Sequence, residues 1–291
     1  MLTEFLTLNN KKDFLIHAGA RWKTYYYKNT YIKILIKPNK LDYSLLFYEL
    51  KEEPLFQEYC CQILDIHKEK ENDFAYQITK EKGISIEKSL KKSQEPLYDF
   101  LVIAKQFCEI LKLSKQSDIV LKDINTKGNM LYNPRTKQIK IIDIDGLQTK
   151  HYSDNLIHEH ILYSDWFYTI LDHPKYSLGE NFTHEMNIFL FYELFFKIVF
   201  RKSLLRIPSN HLGYYFSKKY IQEKSFIKYA RTKQENNLKT FLNYLNFPKQ
   251  DQLYSKIIDL IHDSPNDLSY EDFEFLANHY KLDLEKKRLI R

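Results

Sequence analysis

Asp123 lies on a polar stretch, the amide Asn129 follows six positions on, and a second carboxylate, Asp143, closes an apolar run further along. Between them, Asn133-Pro134 marks a turn, and Ile139, Ile141 and Ile142 read as a strand that delivers Asp143 at its end. Two carboxylates and one amide brought to one cleft suit the movement of a phosphoryl group from ATP. One carboxylate would orient the attacking hydroxyl and accept its proton. The amide and the other carboxylate would hold magnesium against the nucleotide phosphates. The same residues have a plainer reading, in which Asp123 and Asn129 satisfy loop backbone and Asp143 merely ends a strand. Agreement of several elements in order and spacing favours the chemistry.

The elements upstream are those of a sheet. Residues 14–17 and 22–27 read as paired strands, Lys28-Asn29 as a turn, and 31–36 as a further strand stopped by Pro38. Asp42 is placed to cap a helix through Leu45, Leu46, Glu49 and Leu50 to about Pro54. Strands are expected at 62–67 and 74–79, with a connector over 80–83. The period then becomes helical: Tyr98, Leu101, Val102, Lys105, Phe107, Cys108, Ile110 and Leu111 suit a long helix ending near Ser114. A loop-rich stretch over 149–182 leads to an apolar helix over about 185–200, and further helices follow. The expected architecture is α+β and two-lobed: a strand-rich N-lobe with one helix over 1–80, a helical C-lobe over 81–200, and a helical C-terminal part over 201–291. The cleft would lie near residues 79–84.

Bulk properties agree with a folded chain. The 291 residues are 44% apolar, with 23 Tyr and 20 Phe, enough for a sizeable core. Forty-four basic against 38 acidic residues leave +6, which demands neither nucleic acid nor an acidic membrane, and no nucleic-acid partner is expected. Three cysteines, two adjacent, form no disulfide framework and no four-ligand zinc set, so a reducing cytoplasm is the expected home. No secretory signal is visible, and the most apolar run, 188–200, is interrupted by Glu193 and Lys197, so no membrane span is expected.

The stretch from Leu121 to Gly146 resembles the protein-kinase-like superfamily, particularly its compact bacterial Ser/Thr kinase-like members, and a weaker likeness extends over roughly residues 12–200. Lys122-Asp123 with Asn129 is similar to the catalytic loop, and Ile-Ile-Asp-Ile-Asp-Gly to the strand and metal-binding turn. The resemblance implies Asp123 as the catalytic residue, with Asn129 and Asp143 holding Mg2+. Asp145 stands where many kinases have glycine, although bacterial relatives carry two carboxylates in that turn. Thr30-Tyr-Ile-Lys-Ile is similar to the strand that offers a lysine to ATP, which selects Lys33, with Glu49 on the next helix as its ion-pair partner. Lys37 and Glu52 or Glu53 are the competing choices.

Gly19 is the only glycine near the first strand turn, where the family's several glycines cover the nucleotide; the backbone of 18–21 would have to do so here. Backbone of 78–82 would meet adenine. Three further departures are Leu121-Lys122 in place of His-Arg, a spacing of six rather than five before Asn129, and Asn187 in place of a bracing aspartate. The implied activity is an ATP- and magnesium-dependent phosphotransferase acting on Ser or Thr of a protein. A small-molecule alcohol as acceptor, or a nucleotide-binding pseudokinase scaffold, are the alternatives.

Other clusters carry less. His158-Glu-His160 with His151 and His173 lacks closed zinc-site spacing. In the kinase-like frame this segment is the activation segment, with Tyr152, Ser153, Tyr163, Ser164 and Thr169 as hydroxyls open to phosphorylation. The basic and aromatic residues of 214–231 read as a solvated helix face before a docking patch.

Overall fold

The computed structural model describes residues 1–19, 22–36, 43–68, 74–121, 128–149, 224–244, 252–259 and 269–279. Lys37, Lys122, Asp123, the activation segment, Asn187 and the expected helix over 185–200 lie outside the described residues.

Five antiparallel strands form the first sheet: β1 (Leu15–Ala18), β2 (Trp22–Tyr27), β3 (Thr30–Leu35), β4 (Ile63–Lys68) and β5 (Phe74–Thr79), in the order β1-β2-β3-β5-β4. Lys28 and Asn29 join β2 to β3 with φ of 45° and 63°. Positive φ at both positions is what a two-residue hairpin matching the strand twist requires, and asparagine tolerates it best after glycine.

Both faces of this sheet are covered. A short helix, α1 (Leu2–Leu6), lies on the outer face, where Leu2 and Phe5 pack with Tyr25, Tyr27, Ile32 and Ala75. The Phe5 ring sits 5.1 Å from Tyr25 and 5.2 Å from Tyr27, and Glu4 accepts the Tyr27 hydroxyl at 2.9 Å. Five residues are too few for a helix to stand alone. Packing makes it, which is why periodicity did not announce it.

The inner face receives α2 (Tyr43–Glu52), followed by α3 (Pro54–Tyr59). Pro54 opens α3 at a position where its missing N–H has no partner to lose. Tyr43, Leu46, Phe47 and Leu50 bury the inward stripe of α2. Trp22, Tyr43, Phe47, Phe74 and Tyr76 interlock there, with Phe47 and Tyr76 rings 4.6 Å apart.

The connector ends at Gly83, whose φ is +155° and whose missing Cβ would stand 3.0 Å from the Tyr132 carbonyl oxygen. A side chain would fit neither that conformation nor that approach. Next come β6 (Ile84–Ser85), α4 (Ile86–Lys92) and α5 (Pro96–Gln116), the last starting two residues before and ending two after the expected bounds. The pieces β7 (Val120–Leu121), β8 (Met130–Asn133), β9 (Gln138–Ile141) and β10 (Leu147–Gln148) build two small sheets. Asn133 Oδ1 caps the β8–β9 turn by accepting the Arg135 N–H at 3.0 Å. Among the described residues three later helices follow, α6 (Lys224–Tyr244), α7 (Gln252–Asp259) and α8 (Tyr270–His279). Leu238, Leu242 and Ile257 join the core shared by the sheet, α2 and α5. Among the described residues no helix is long and apolar enough to cross a membrane.

Two polar features hold the parts together. The Cys61 N–H donates to the Ile141 carbonyl at 2.9 Å beside a parallel bridge between Cys60 and Ile141, so the chain entering β4 is stitched to the end of β9. Both thiols are buried, and burial pushes the Cys60 thiol up to about 12, so neither is suited to nucleophilic attack.

The second feature is Asp99 on α5. It is buried and accepts from the Ser93 hydroxyl at 2.6 Å, the Tyr132 hydroxyl at 2.9 Å and Lys137 Nζ at 2.6 Å. Burial raises the Asp99 carboxyl, but bonds from Lys137, Ser93 and Tyr132 outweigh it and hold the group below its ordinary 3.8. Its contribution is therefore complete above that value and fades as pH falls through the depressed one. Asp99→Ala strands the buried Tyr132 hydroxyl and is expected to cost about 2–3 kcal/mol of stability. The measurement is a lowered urea midpoint at unchanged slope, with the gap to the parent chain narrowing below pH 4.

Candidate active site

The β8–β9 hairpin brings two of the sequence-predicted residues together. Met130 pairs with Ile141, and the Ile142 N–H donates to the Asn129 carbonyl at 2.9 Å, which sets Asn129 beside the residue preceding Asp143. The chain then makes a single 3₁₀ turn, Ile144–Gly146, whose Ile144 is fully buried and pins it down. Past this turn, Leu147 pairs with Leu121. Thus the strand leading towards Asp123 runs beside the strand leaving Asp145. Asp123 itself lies outside the described residues.

Lys33 comes from the opposite lobe. On β3 its side chain leaves the inner face and its ammonium meets both carboxylates of the turn, Asp143 and, at 2.5 Å, Asp145. These contacts span more than a hundred residues of sequence. Asp145 Oδ1 also accepts the Tyr76 hydroxyl at 3.0 Å. Burial alone would raise the Asp145 carboxyl; the Lys33 charge, with hydrogen bonds involving Asp143, Lys33 and Tyr76, overcomes it and brings the group down to about 2. Burial likewise works against the Lys33 charge, and Asp145 and Asp143 more than compensate, so the ammonium is held well above its ordinary value. Lys33 is therefore a permanent cation here.

Glu49 is placed elsewhere. It is exposed on α2, away from the stripe formed by Tyr43, Leu46, Phe47 and Leu50, and the expected Glu49–Lys33 pair is not formed in this arrangement. The competing Glu52 is exposed as well. Gly19 sits at the β1–β2 turn, where its N–H donates to the Trp22 carbonyl at 2.8 Å. The residues that the sequence reading passed over are Tyr76, never singled out, and Asp145, noted only as a substitution for glycine. Strand alternation holds a signal for the first: Tyr76 lies opposite Lys33 in the β3–β5 register.

The donor set fits a hard divalent cation. Carboxylate and amide oxygens are what magnesium takes, and it commonly keeps several waters and needs only one or two protein carboxylates. Among the described residues no group of three or more His, Cys, Asp or Glu side chains gathers. The Asp143 side chain is 30% exposed and so is open to solvent.

No family model matches the chain, and no curated protein matches it. Solved structures do. The Cydia pomonella granulovirus kinase PK-1 aligns over 93% of this chain and 97% of its own, with a TM-score of 0.54 at 10% identity. The autoinhibited serine kinase domain of the giant muscle protein titin aligns over 94% of this chain and 81% of its own, with a TM-score of 0.56 at 13% identity. Such identities speak for architecture alone, and the architecture they establish is the two-lobed protein-kinase-like fold.

Proposed function

We propose that the chain is an ATP- and magnesium-dependent phosphotransferase acting on Ser or Thr hydroxyls of a protein. The observation that carries this reading is the meeting of Lys33 from the sheet with Asp143 and Asp145 from the turn, beside the backbone of Asn129. In it, Lys33 grips the nucleotide phosphates. Asn129 and Asp143 would hold magnesium, which when bound neutralises charge on the phosphates. Asp123 orients the acceptor hydroxyl and takes its proton. The β1–β2 turn with Gly19 covers the nucleotide, and backbone of the connector receives the adenine.

A second reading, a nucleotide-binding scaffold, is favoured by the single glycine in that turn and by the absence of a Glu49–Lys33 pair. One experiment separates them. The purified chain is given Mg-ATP carrying a labelled γ-phosphate, together with Ser/Thr peptides in one set and small alcohols and aminoglycosides in another. Label on peptide hydroxyls supports the proposal, and Asp123→Ala should then reduce turnover about a hundred- to ten-thousandfold. Label on small alcohols alone moves the acceptor class. Thermal stabilisation by Mg-ATP without transfer selects the scaffold.

A further inference from the structure

Asp143 and Asp145 both meet Lys33, yet their surroundings differ. The Asp145 side chain is 14% exposed against 30% for Asp143. A single oxygen of Asp145 accepts both Lys33 Nζ and the Tyr76 hydroxyl. Tyr76 is itself immobilised: it is fully buried, edge-on to Trp22 at 5.3 Å and against Phe47 at 4.6 Å. Because Tyr76 and Lys33 are cross-strand partners, the two side chains project from the same face of the sheet and approach Asp145 together. The helix that would otherwise supply a carboxylate presents aromatic rings to this spot, while its Glu49 faces outward.

We propose that Asp145, anchored by Tyr76, is the fixed counter-ion of Lys33. It is a positioning residue standing in for the helix carboxylate, Glu49, that the fold resemblance nominated. What Lys33 is positioned toward, the nucleotide phosphates, rests on the phosphotransferase reading; the ion pair does not. A fully buried aromatic anchor confines the carboxylate, and the carboxylate confines the ammonium at the end of four otherwise freely rotating bonds. Glycine in place of Asp145 would leave Lys33 without that oxygen. The inward Asp145 and the outward Glu49 are thus two sides of one arrangement.

A nucleotide-free thermal unfolding cycle tests the pair. Lys33→Met, Asp145→Asn and the double variant are compared with the parent, alongside a second cycle of Lys33→Met with Glu49→Gln. Each substitution in the first cycle should lower the unfolding temperature by several degrees, and the double variant should fall by clearly less than their sum. The Glu49 cycle should be additive. Additivity between Lys33 and Asp145, or coupling between Lys33 and Glu49, overturns the proposal. If Asp145→Asn does not fold, Tyr76→Phe replaces it in the cycle, since it keeps the ring and removes only the hydroxyl.

In an active enzyme, Tyr76→Phe should reduce kcat/KM for ATP about fivefold, the worth of one hydrogen bond, while the acceptor KM stays put. Unchanged kcat/KM for ATP in that variant also counts against the anchor. A parent chain that shows the Lys33–Asp145 coupling yet transfers no phosphate sustains this ion pair and defeats the phosphotransferase reading.

Discussion

Replacing Asp143 with alanine should leave a folded chain that transfers phosphate at least about a thousandfold more slowly, a loss of about 4 kcal/mol in transition-state stabilisation. The size follows from what the side chain would do. Its oxygens are the accessible carboxylate of the turn, and in the proposed mechanism they fix the cation that neutralises the migrating phosphoryl group. The fold should survive, because Lys33 keeps Asp145, and Ile144 still buries the turn. Turnover at saturating magnesium and ATP is the primary measurement, and thermal stabilisation by Mg-ATP the second. Parent-like turnover in Asp143→Ala would remove the metal role outright.

Lys33→Met is the other large effect, and it acts on two quantities. Phosphoryl transfer should fall about a hundredfold through loss of the charge that grips the phosphates. Stability should fall as well, by about 2–3 kcal/mol at neutral pH, because two carboxylates at a sheltered site lose the cation between them. The pH dependence changes sign.

In the parent, Asp145 is held at about 2 against an ordinary 3.8. Its contribution is thus present above about pH 4 and lost as pH falls through 2. Without Lys33 the like charge of Asp143 and burial drive the Asp145 carboxyl upward instead, so one of the pair takes a proton in mildly acidic solution. The variant should therefore recover stability between pH 7 and 5, where the parent gains nothing from this site. Denaturant midpoints over that range are the measurement; parallel profiles for the two chains would show that Lys33 does not neutralise the turn.

Much of this molecule could be read from its residues, and the failures have physical causes. The Lys28-Asn29 turn, the five main strands and the long helix α5 were legible because their signals are local: a residue pair tolerant of positive φ, alternation at period two, and a stripe at period 3.6. Lys33 and Asp143 were singled out from their places in strand and turn. Their direct contact was not legible, since it joins two lobes.

Glu49 was chosen for its charge and its position on α2. The apolar stripe of that helix argues otherwise: Tyr43, Leu46, Phe47 and Leu50 define the inward side, and position 49 lies well off its centre. Tyr76 was missed because register between strands far apart in sequence is decided by the packed sheet, and a one-residue slip would have turned its hydroxyl to the outer face. Helix α1 escaped notice because it is held by packing on Tyr25, Tyr27, Ile32 and Ala75 beneath it rather than by any period of its own.

The stitch between Cys61 and Ile141 has a mechanical consequence. Gly83 and its neighbours already link the upper sheet to the helices below, and the Cys60–Cys61 attachment adds a second tie. Lys140 Nζ donates to the Glu58 carbonyl at 2.6 Å and the Tyr59 hydroxyl to Glu109 at 2.7 Å, so α3 and the start of β4 are fastened to β9 and α5 at several points. Lys33 therefore reaches Asp143 and Asp145 across a seam of backbone and side-chain bonds rather than from a sheet hung on a single strand of chain.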